Sequence, residues 1–426
     1  MDIHCIGCRK CVVLCNVNMK ESLIKSLICC GLLHHLLMRW MRLIYGFLCL
    51  AIVAGCQTTC DKVSASSAAS NHVSVAAVRY MASVGGVGAG DSGGSKEDPV
   101  KVIFDTAMYT DFDDAGALAC LHALADAGEC EILATVANTR DCLSVAVCEI
   151  INSYYGRPDI PVGCSKEIGR TGSSERHLKR YEATVNEFGK WVKHRNSNDA
   201  PDANEVYRRV LAAQPDNSVV ICSVGFLTNM RRLLETKADA VSPLDGKALV
   251  ARKVKLWVAM ACRYPDGKEY NSMTDAESSR IALENWPTPI VFTDWNYGFD
   301  CHSGRALAES GRIDNPVACV FAGNVPSREK IRRDSARYLR GAFGMAGRAA
   351  WDQTAVLIAV RGVDPLFNSE RGAYRMVGEE GADEWVPDAE NGPHLRVTEK
   401  LSKAEVGRII DELMGRTPLF RQGHRE

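Results

Sequence analysis

The chain has 426 residues, 46% of them hydrophobic and 24% charged, with 51 basic side chains against 52 acidic and a formal net charge of -1. That length holds one large domain or two ordinary ones, with ample chain for a core. The balanced charge excludes the basic excess of a nucleic-acid binder, and 35 Gly with 15 Pro exclude collagen-like and disordered compositions.

The unusual part is the front, where nine of the eighteen Cys fall within the first 60 residues. Cys5, Cys8, Cys11 and Cys15 have the spacing of a bacterial ferredoxin cluster loop. Asn16 stands where Pro usually follows, and no second Cys set accompanies it. Residues 1–40 therefore read as a non-native leader ahead of a better start at Met41. Residues 41–56 carry one basic residue, an apolar run from Leu43 to Ala54, then Gly55 and Cys56. This is a short secretory signal, below the length of about 20 residues that spans a membrane. Val53-Ala54-Gly55-Cys56 resembles the bacterial lipoprotein box, which predicts a lipid anchor on Cys56 and a place in the bacterial cell envelope. The alternative is an ordinary signal peptide that carries a Cys, which leaves the protein secreted. Residues 57–99 are rich in Ser, Ala and Gly without periodic apolar faces, and read as a flexible tether.

The folded domain is expected over 100–426. Apolar runs predict strands at 101–106, 131–137, 218–225, 254–261 and 288–294. Helical spacing falls at 115–127, 145–155, 203–213, 227–236, 275–285, 328–340 and 352–360. Strands alternating with helices predict an α/β fold, a mostly parallel open sheet with helices on both faces of a Rossmann-like core. In such sheets ligands bind at the carboxyl ends of the strands. The nine Cys beyond residue 60 form no CxxC pair and read as buried thiols.

After the first strand, Asp105, Asp111, Asp113 and Asp114 fall within ten residues. Helix capping accounts for one or two of these acids. Four at this density suit a hard cation such as Ca²⁺ or Mg²⁺. Elsewhere, His122 reads as a helix-face residue and His302 as a surface or capping one. Lys330, Arg332 and Arg333 read as a solvated face, and Trp257 and Trp286 as core. Trp295 follows a strand end and could touch a planar ligand.

Four ordered segments between about residues 100 and 360 resemble the inosine-uridine-preferring nucleoside hydrolases. Asp105 to Asp114 resembles their first aspartate cluster, in the form with two extra residues. Gly225-Phe226-Leu227-Thr228-Asn229 is similar to their G-P-L-T-N turn. Glu269-Tyr270-Asn271 followed by Asp275 is similar to their ribose segment, and Trp351-Asp352 to their late aspartate motif, where His-Asp is common. The resemblance implies Ca²⁺-dependent hydrolysis of the N-glycosidic bond of a ribonucleoside. By position, it implies Asp114, Asp352 and the Val224 carbonyl as metal ligands. Asp113, Glu269 and Asn271 would bind the ribose hydroxyls, Asn138 would add a contact, and Trp351 would face the base. Homo-oligomers are common among these hydrolases, which leaves that state open here.

Three departures bear on activity. Ala107 stands where the family has the aspartate that ligates Ca²⁺ and acts as base, Tyr109 where it has Gly, and Trp351 where some members have His. Asp111 is close enough in sequence to stand in as base, beside Asp113 as the second catalytic carboxylate, and Asp105 could turn toward the metal. A non-catalytic riboside- or sugar-binding lipoprotein is the alternative function. An iron–sulfur carrier is a third, dependent on residues 5–15 being translated.

Overall fold

The segment Val100–Thr106 forms strand β1, with Val102, Ile103 and Phe104 all fully buried. Burial on both faces is the condition of a central parallel strand. β1 opens a computed structural model that describes residues 94–95, 97–139, 143–167, 175–322, 347–364, 366–388 and 390–422. The leader 1–40, the signal 41–56 with Cys56 and nearly all of the tether 57–99 lie outside the described residues. So do the helix expected at 328–340 and, within it, Lys330, Arg332 and Arg333. Among the described residues no helix is long and apolar enough to cross a membrane.

The chain runs from β1 through α1 (Asp113–Asp126), β2 (Cys130–Ala137), α2 (Ser144–Tyr154), β3 (Val162–Cys164), α3 (Glu175–Phe188) and α4 (Ala203–Ala213). It continues through β4 (Val219–Val224), α5 (Thr228–Glu235), α6 (Gly246–Lys253), β5 (Val254–Ala259), β6 (Asp266–Gly267) and α7 (Tyr270–Thr274). Next come α8 (Ala276–Asn285), β7 (Ile290–Phe292), α9 (Trp295–Asp300), β8 (His302–Ser303), α10 (Arg305–Glu309), α11 (Pro316–Ala322), β9 (Arg348–Ala349) and α12 (Trp351–Arg361). Strands β10 (Phe367–Val377), β11 (Ala382–Pro387) and β12 (His394–Glu399), then α13 (Lys403–Gly415) and α14 (Leu419–Gln422), are the last of the described elements.

Among the described residues, ten strands make one open sheet in the order β3-β2-β1-β4-β5-β7-β12-β10-β11-β6. The α/β reading is right. Strands β3 through β12 in that order pair in parallel, and β10, β11 and β6 add an antiparallel flank. Alternate residues of β1 face different cores. Val102 and Phe104 join one with α1, α2, α12 and α13, while Ile103 joins another with α4, α5, α6 and α8. Eight of the nine later Cys are described, and all eight are buried free thiols. Trp257 and Trp286 are core, as read. His122 lies on α1, as read, and its side chain is fully buried, bonded to Asn152 and stacked on Tyr155.

The sequence reading stops at residue 360, and the last three strands are new. Strand β10 has the sequence FNSERGAYRMV, half-exposed along most of its length, so it carries no apolar run to detect. A buried polar cluster joins this flank to the parallel strands. Asp294, after β7, accepts bonds from Arg396 Nε of β12 and Tyr374 Oη of β10, each at 3.1 Å. Arg396 also donates to Glu370 and lies over the Tyr264 ring. Removing one partner of a buried pair leaves the other charge without compensation, at a cost of about 3–5 kcal/mol. Arg396→Ala is therefore expected to lower the unfolding free energy by that order in urea titration. A loss below about 1 kcal/mol would mean that Asp294 finds other partners.

Candidate active site

The chain leaves β1 toward β2 on one side of the sheet and later returns to β4 on the other. This reversal beside β1 makes the crevice at its carboxyl end the place for a ligand. The loop after β1 is shaped by the Thr106 hydroxyl, which accepts from the Met108 amide and donates to Asp114 Oδ1 at 2.5 Å. Tyr109 makes the turn with φ at 95°, a conformation that favours glycine. Its ring is buried and packs against Tyr181 with centroids 5.4 Å apart, and this packing offsets backbone strain of about 1–3 kcal/mol.

Asp113 and Asp114 occupy the first turn of α1, and Asp352 the first turn of α12, which packs beside it. One carboxylate oxygen from each lies within 4.8 Å of the others, and all three residues are buried. Burial raises the pKa values of all three, and repulsion from neighbouring carboxylates adds to it at Asp113 and Asp352. Asp114 is pushed up to about 7, and Asp113 and Asp352 rise well above the usual carboxylate range. Asp113 Oδ2 is buried with no hydrogen-bond partner. Hard oxygen donors, excess negative charge and an orphaned acceptor fit a divalent cation.

Asp105 does not turn toward this cluster, which corrects the expectation that it could join the metal ligands. Its carboxylate, fully buried, accepts from Asn138 Nδ2 at 2.6 Å, Tyr207 Oη at 2.8 Å and Asn229 Nδ2 at 2.9 Å. Asn138 is committed to the same layer and is not among the residues lining the cavity. Gly225 is required beside it. A Cβ there would come within 2.3 Å of Asn138 Nδ2 and 2.5 Å of the Ala107 amide nitrogen.

Above the acids opens a cavity of about 300 Å³, within the range of small-molecule sites. Asp111, Asp113, Asp114, Val224, Glu269, Asn271, Trp351 and Asp352 all line it, so the structure gathers these sequence-selected residues around one space. Glu269 caps α7, its Oε2 accepting the Ser272 amide at 2.9 Å, and burial raises its pKa to about 7. Asn271 donates Nδ2 to the Met260 carbonyl at 3.1 Å, which leaves its carbonyl oxygen as the acceptor for a ligand. Trp351 donates its indole N–H to the Trp295 carbonyl at 2.8 Å, and Trp295 stacks on Phe299 at 4.5 Å. Asp111 is paired with Arg348, so it must release the guanidinium before it can take up a proton.

Sequence reasoning missed two side chains that the structure places at this site. Arg348 had no signal. His177 lines the cavity from the start of α3, a helix whose sequence signal is the spacing of Leu178, Tyr181, Val185 and Phe188.

No family model matches the sequence, and no curated protein matches it. Solved structures do. A plant nucleoside hydrolase has a TM-score of 0.53 at 18% identity, covering 74% of this chain and 99% of its own. The inosine-uridine-preferring nucleoside hydrolase from Bacillus anthracis has 0.53 at 16%, covering 74% and 99%. The type III effector protein XopQ, solved with adenosine diphosphate ribose, has 0.50 at 14%, covering 74% and 93%. The chain has the nucleoside hydrolase fold.

The acid cluster sets a pH-dependent outcome. A carboxylate whose folded pKa is raised binds extra protons in the folded state, so metal-free stability falls as pH rises through about 7. A divalent cation must displace those protons. Ten millimolar CaCl₂ or MgCl₂ is therefore expected to raise Tm more at pH 8 than at pH 5, by about 2.7 kcal/mol of stability at a hundred times Kd. Equal shifts at both pH values, or none, would show that the ion does not enter the cluster.

Proposed function

We propose that the protein hydrolyses the N-glycosidic bond of ribonucleosides with Ca²⁺ as cofactor. The observation that carries this reading is the meeting of Asp113, Asp114 and Asp352 with Glu269 and Asn271 around one cavity at the sheet's reversal point. Asp114, Asp352 and the Val224 carbonyl would hold the ion, which when bound supplies the charge that acidifies a water and grips ribose hydroxyls. Asp113, Glu269 and the Asn271 carbonyl accept from the ribose hydroxyls and fix C1′ in place. The Trp351 ring, which lines the cavity, meets the planar base. Asp111 takes the proton of the attacking water once Arg348 releases it. Bond breaking proceeds through an oxocarbenium-like sugar, which the surrounding carboxylates favour electrostatically.

A second reading, binding of a riboside without turnover, is favoured by Ala107 and by the Asp111–Arg348 pair. It fits an active-site base that is absent or occupied. The two readings part in one assay: purified protein, Ca²⁺ and a nucleoside panel, with released ribose measured. Hydrolysis should occur and Asp111→Asn should lower kcat by about 10²–10⁴. Saturable nucleoside binding without ribose release establishes the second reading. In that case Ala107→Asp, which adds a proton acceptor beside the cluster, is expected to produce turnover.

The envelope location is part of the proposal and rests on Val53-Ala54-Gly55-Cys56. The mature protein should begin at a lipidated Cys56 and sediment with membranes. Cys56→Ala should release it, and a variant that stays membrane-bound would dismiss the anchor.

A further inference from the structure

Asp111, the carboxylate assigned to the attacking water, is occupied on both oxygens. Its Oδ1 accepts from the Phe112 amide at 2.7 Å, and its Oδ2 pairs with the Arg348 guanidinium. Hydrolysis through Asp111 therefore needs something to take Arg348 away. What can do so follows from the surroundings of that guanidinium.

Arg348 lies in β9, just before α12. Its Cζ stands 5.1 Å from the centroid of the Phe112 ring and 5.0 Å from that of Trp351. The two rings hold the cation directly behind Asp111 and Trp351, which both line the cavity. None of the described residues in that lining is itself a Lys or Arg. The pair is also accessible, with side chains 22% and 28% exposed, so a ligand in the cavity can exchange with it. Burial lowers the pKa of Arg348 to about 10, and it stays charged at neutral pH.

The guanidinium is underused as it stands. Nη2 donates to Asp111, while Nε, on the same edge of the fork, is buried without a hydrogen-bond partner. That edge suits two oxygens of one carboxylate or phosphate. A neutral acceptor is no substitute for Asp111, because a hydrogen bond would replace an ion pair and leave a buried cation uncompensated. An anion restores the pairing and gives Nε a partner.

We propose that Arg348 selects ribosides carrying an anionic group, a carboxylate or a phosphate, by exchanging Asp111 for that group. The inference rests on the riboside reading above and names its substrate class. The exchange makes and breaks no covalent bond. The guanidinium passes from Asp111 to the ligand anion, and Asp111 Oδ2 becomes free for the proton of the attacking water. Recognition and activation are then one event, and a riboside without the charge leaves the carboxylate occupied.

The test uses two matched pairs of ribosides with Ca²⁺, measuring release of the sugar. Nicotinate riboside and nicotinamide riboside differ by a carboxylate on the aglycone, and both aglycones leave without being protonated. Inosine 5′-monophosphate and inosine differ by a phosphate on the sugar. Wild-type protein is expected to favour the charged member of one pair by about 10²-fold or more in kcat/KM. The pair that shows it tells whether the anion sits on the aglycone or the sugar. Arg348→Gln should lower kcat/KM on the charged member and raise it on the neutral one, a crossover that a structural role would not produce. Should Arg348→Gln fail to fold, Asp111→Asn decides by calorimetry. It removes the competitor for Arg348 and should bind the charged member about tenfold more tightly. Equal losses on both members in Arg348→Gln overturn the proposal. So does loss of the preference in Arg263→Gln instead, whose guanidinium lies 4.3 Å from the Trp295 ring centroid. Active wild-type protein without preference in either pair overturns it and leaves ribosyl hydrolysis standing. If none of the four is cleaved, the hydrolase reading falls, and calorimetry on the same four decides the inference separately. Tighter binding of a charged member, lost in Arg348→Gln, upholds it; equal or absent binding overturns it.

Discussion

Three carboxylates buried within 4.8 Å of one another are the constraint around which this molecule is arranged. At an effective dielectric near 20, each ionised pair at such a distance repels by on the order of 3 kcal/mol. Folding tolerates this because Asp113, Asp114 and Asp352 all sit in the first turns of helices, where the dipole favours negative charge. The Thr106 hydroxyl and the Ala107 amide also donate to Asp114. What remains uncompensated is the work a cation would do. The site is therefore assembled in advance and held in a state that favours a bound charge.

Beneath that layer lies a second one, built on Asp105. Its carboxylate gathers donors from the end of β2 (Asn138), from α4 (Tyr207) and from α5 (Asn229). The acid thus pins four elements together just below the cavity floor. Its pKa rises only to about 6 because those three bonds oppose the cost of burial. The antiparallel flank does similar work on the far wall. Asp383 of β11 accepts from the amide of Arg263 at 2.7 Å and from that of Glu269 at 3.4 Å. The loop that carries Glu269 and Asn271 is thereby tied to strands more than a hundred residues away in sequence.

This division explains what could be read from the sequence. The parallel strands are apolar runs because both of their faces are covered, so β1, β2, β4, β5 and β7 stand out. The acids at 113 and 114 stand out because four aspartates crowd the ten residues from Asp105 to Asp114, and Asp352 is found only through the resemblance of Trp351-Asp352 to a late aspartate motif. Asp105 was legible as important but not as to direction, since direction depends on donors at 138, 207 and 229. Strand β10 was hidden because its stability comes from cross-strand pairing with β11 and β12 rather than from its own apolar content. His177 and Arg348 were hidden for another reason. A single polar residue gains meaning only when the fold sets it against a cavity or a partner.

The local charge balance connects the departures from the family pattern to one another. Ala107 removes a carboxylate from the place where the resemblance expects one, and Arg348 brings a cation against Asp111 and near Asp352. With fewer negative charges around it, a divalent ion would be bound less tightly than in a site with the full acid set, because ligand charge count tunes affinity over several orders of magnitude. Sites of extracellular modules work with dissociation constants of about 10⁻⁴–10⁻³ M, matched to the calcium outside the cytosol. A weaker acid cluster would suit the proposed envelope location, where such affinities are the working range. The proposed anchor at Cys56 and the altered loop at Ala107 consequently bear on the same physical question.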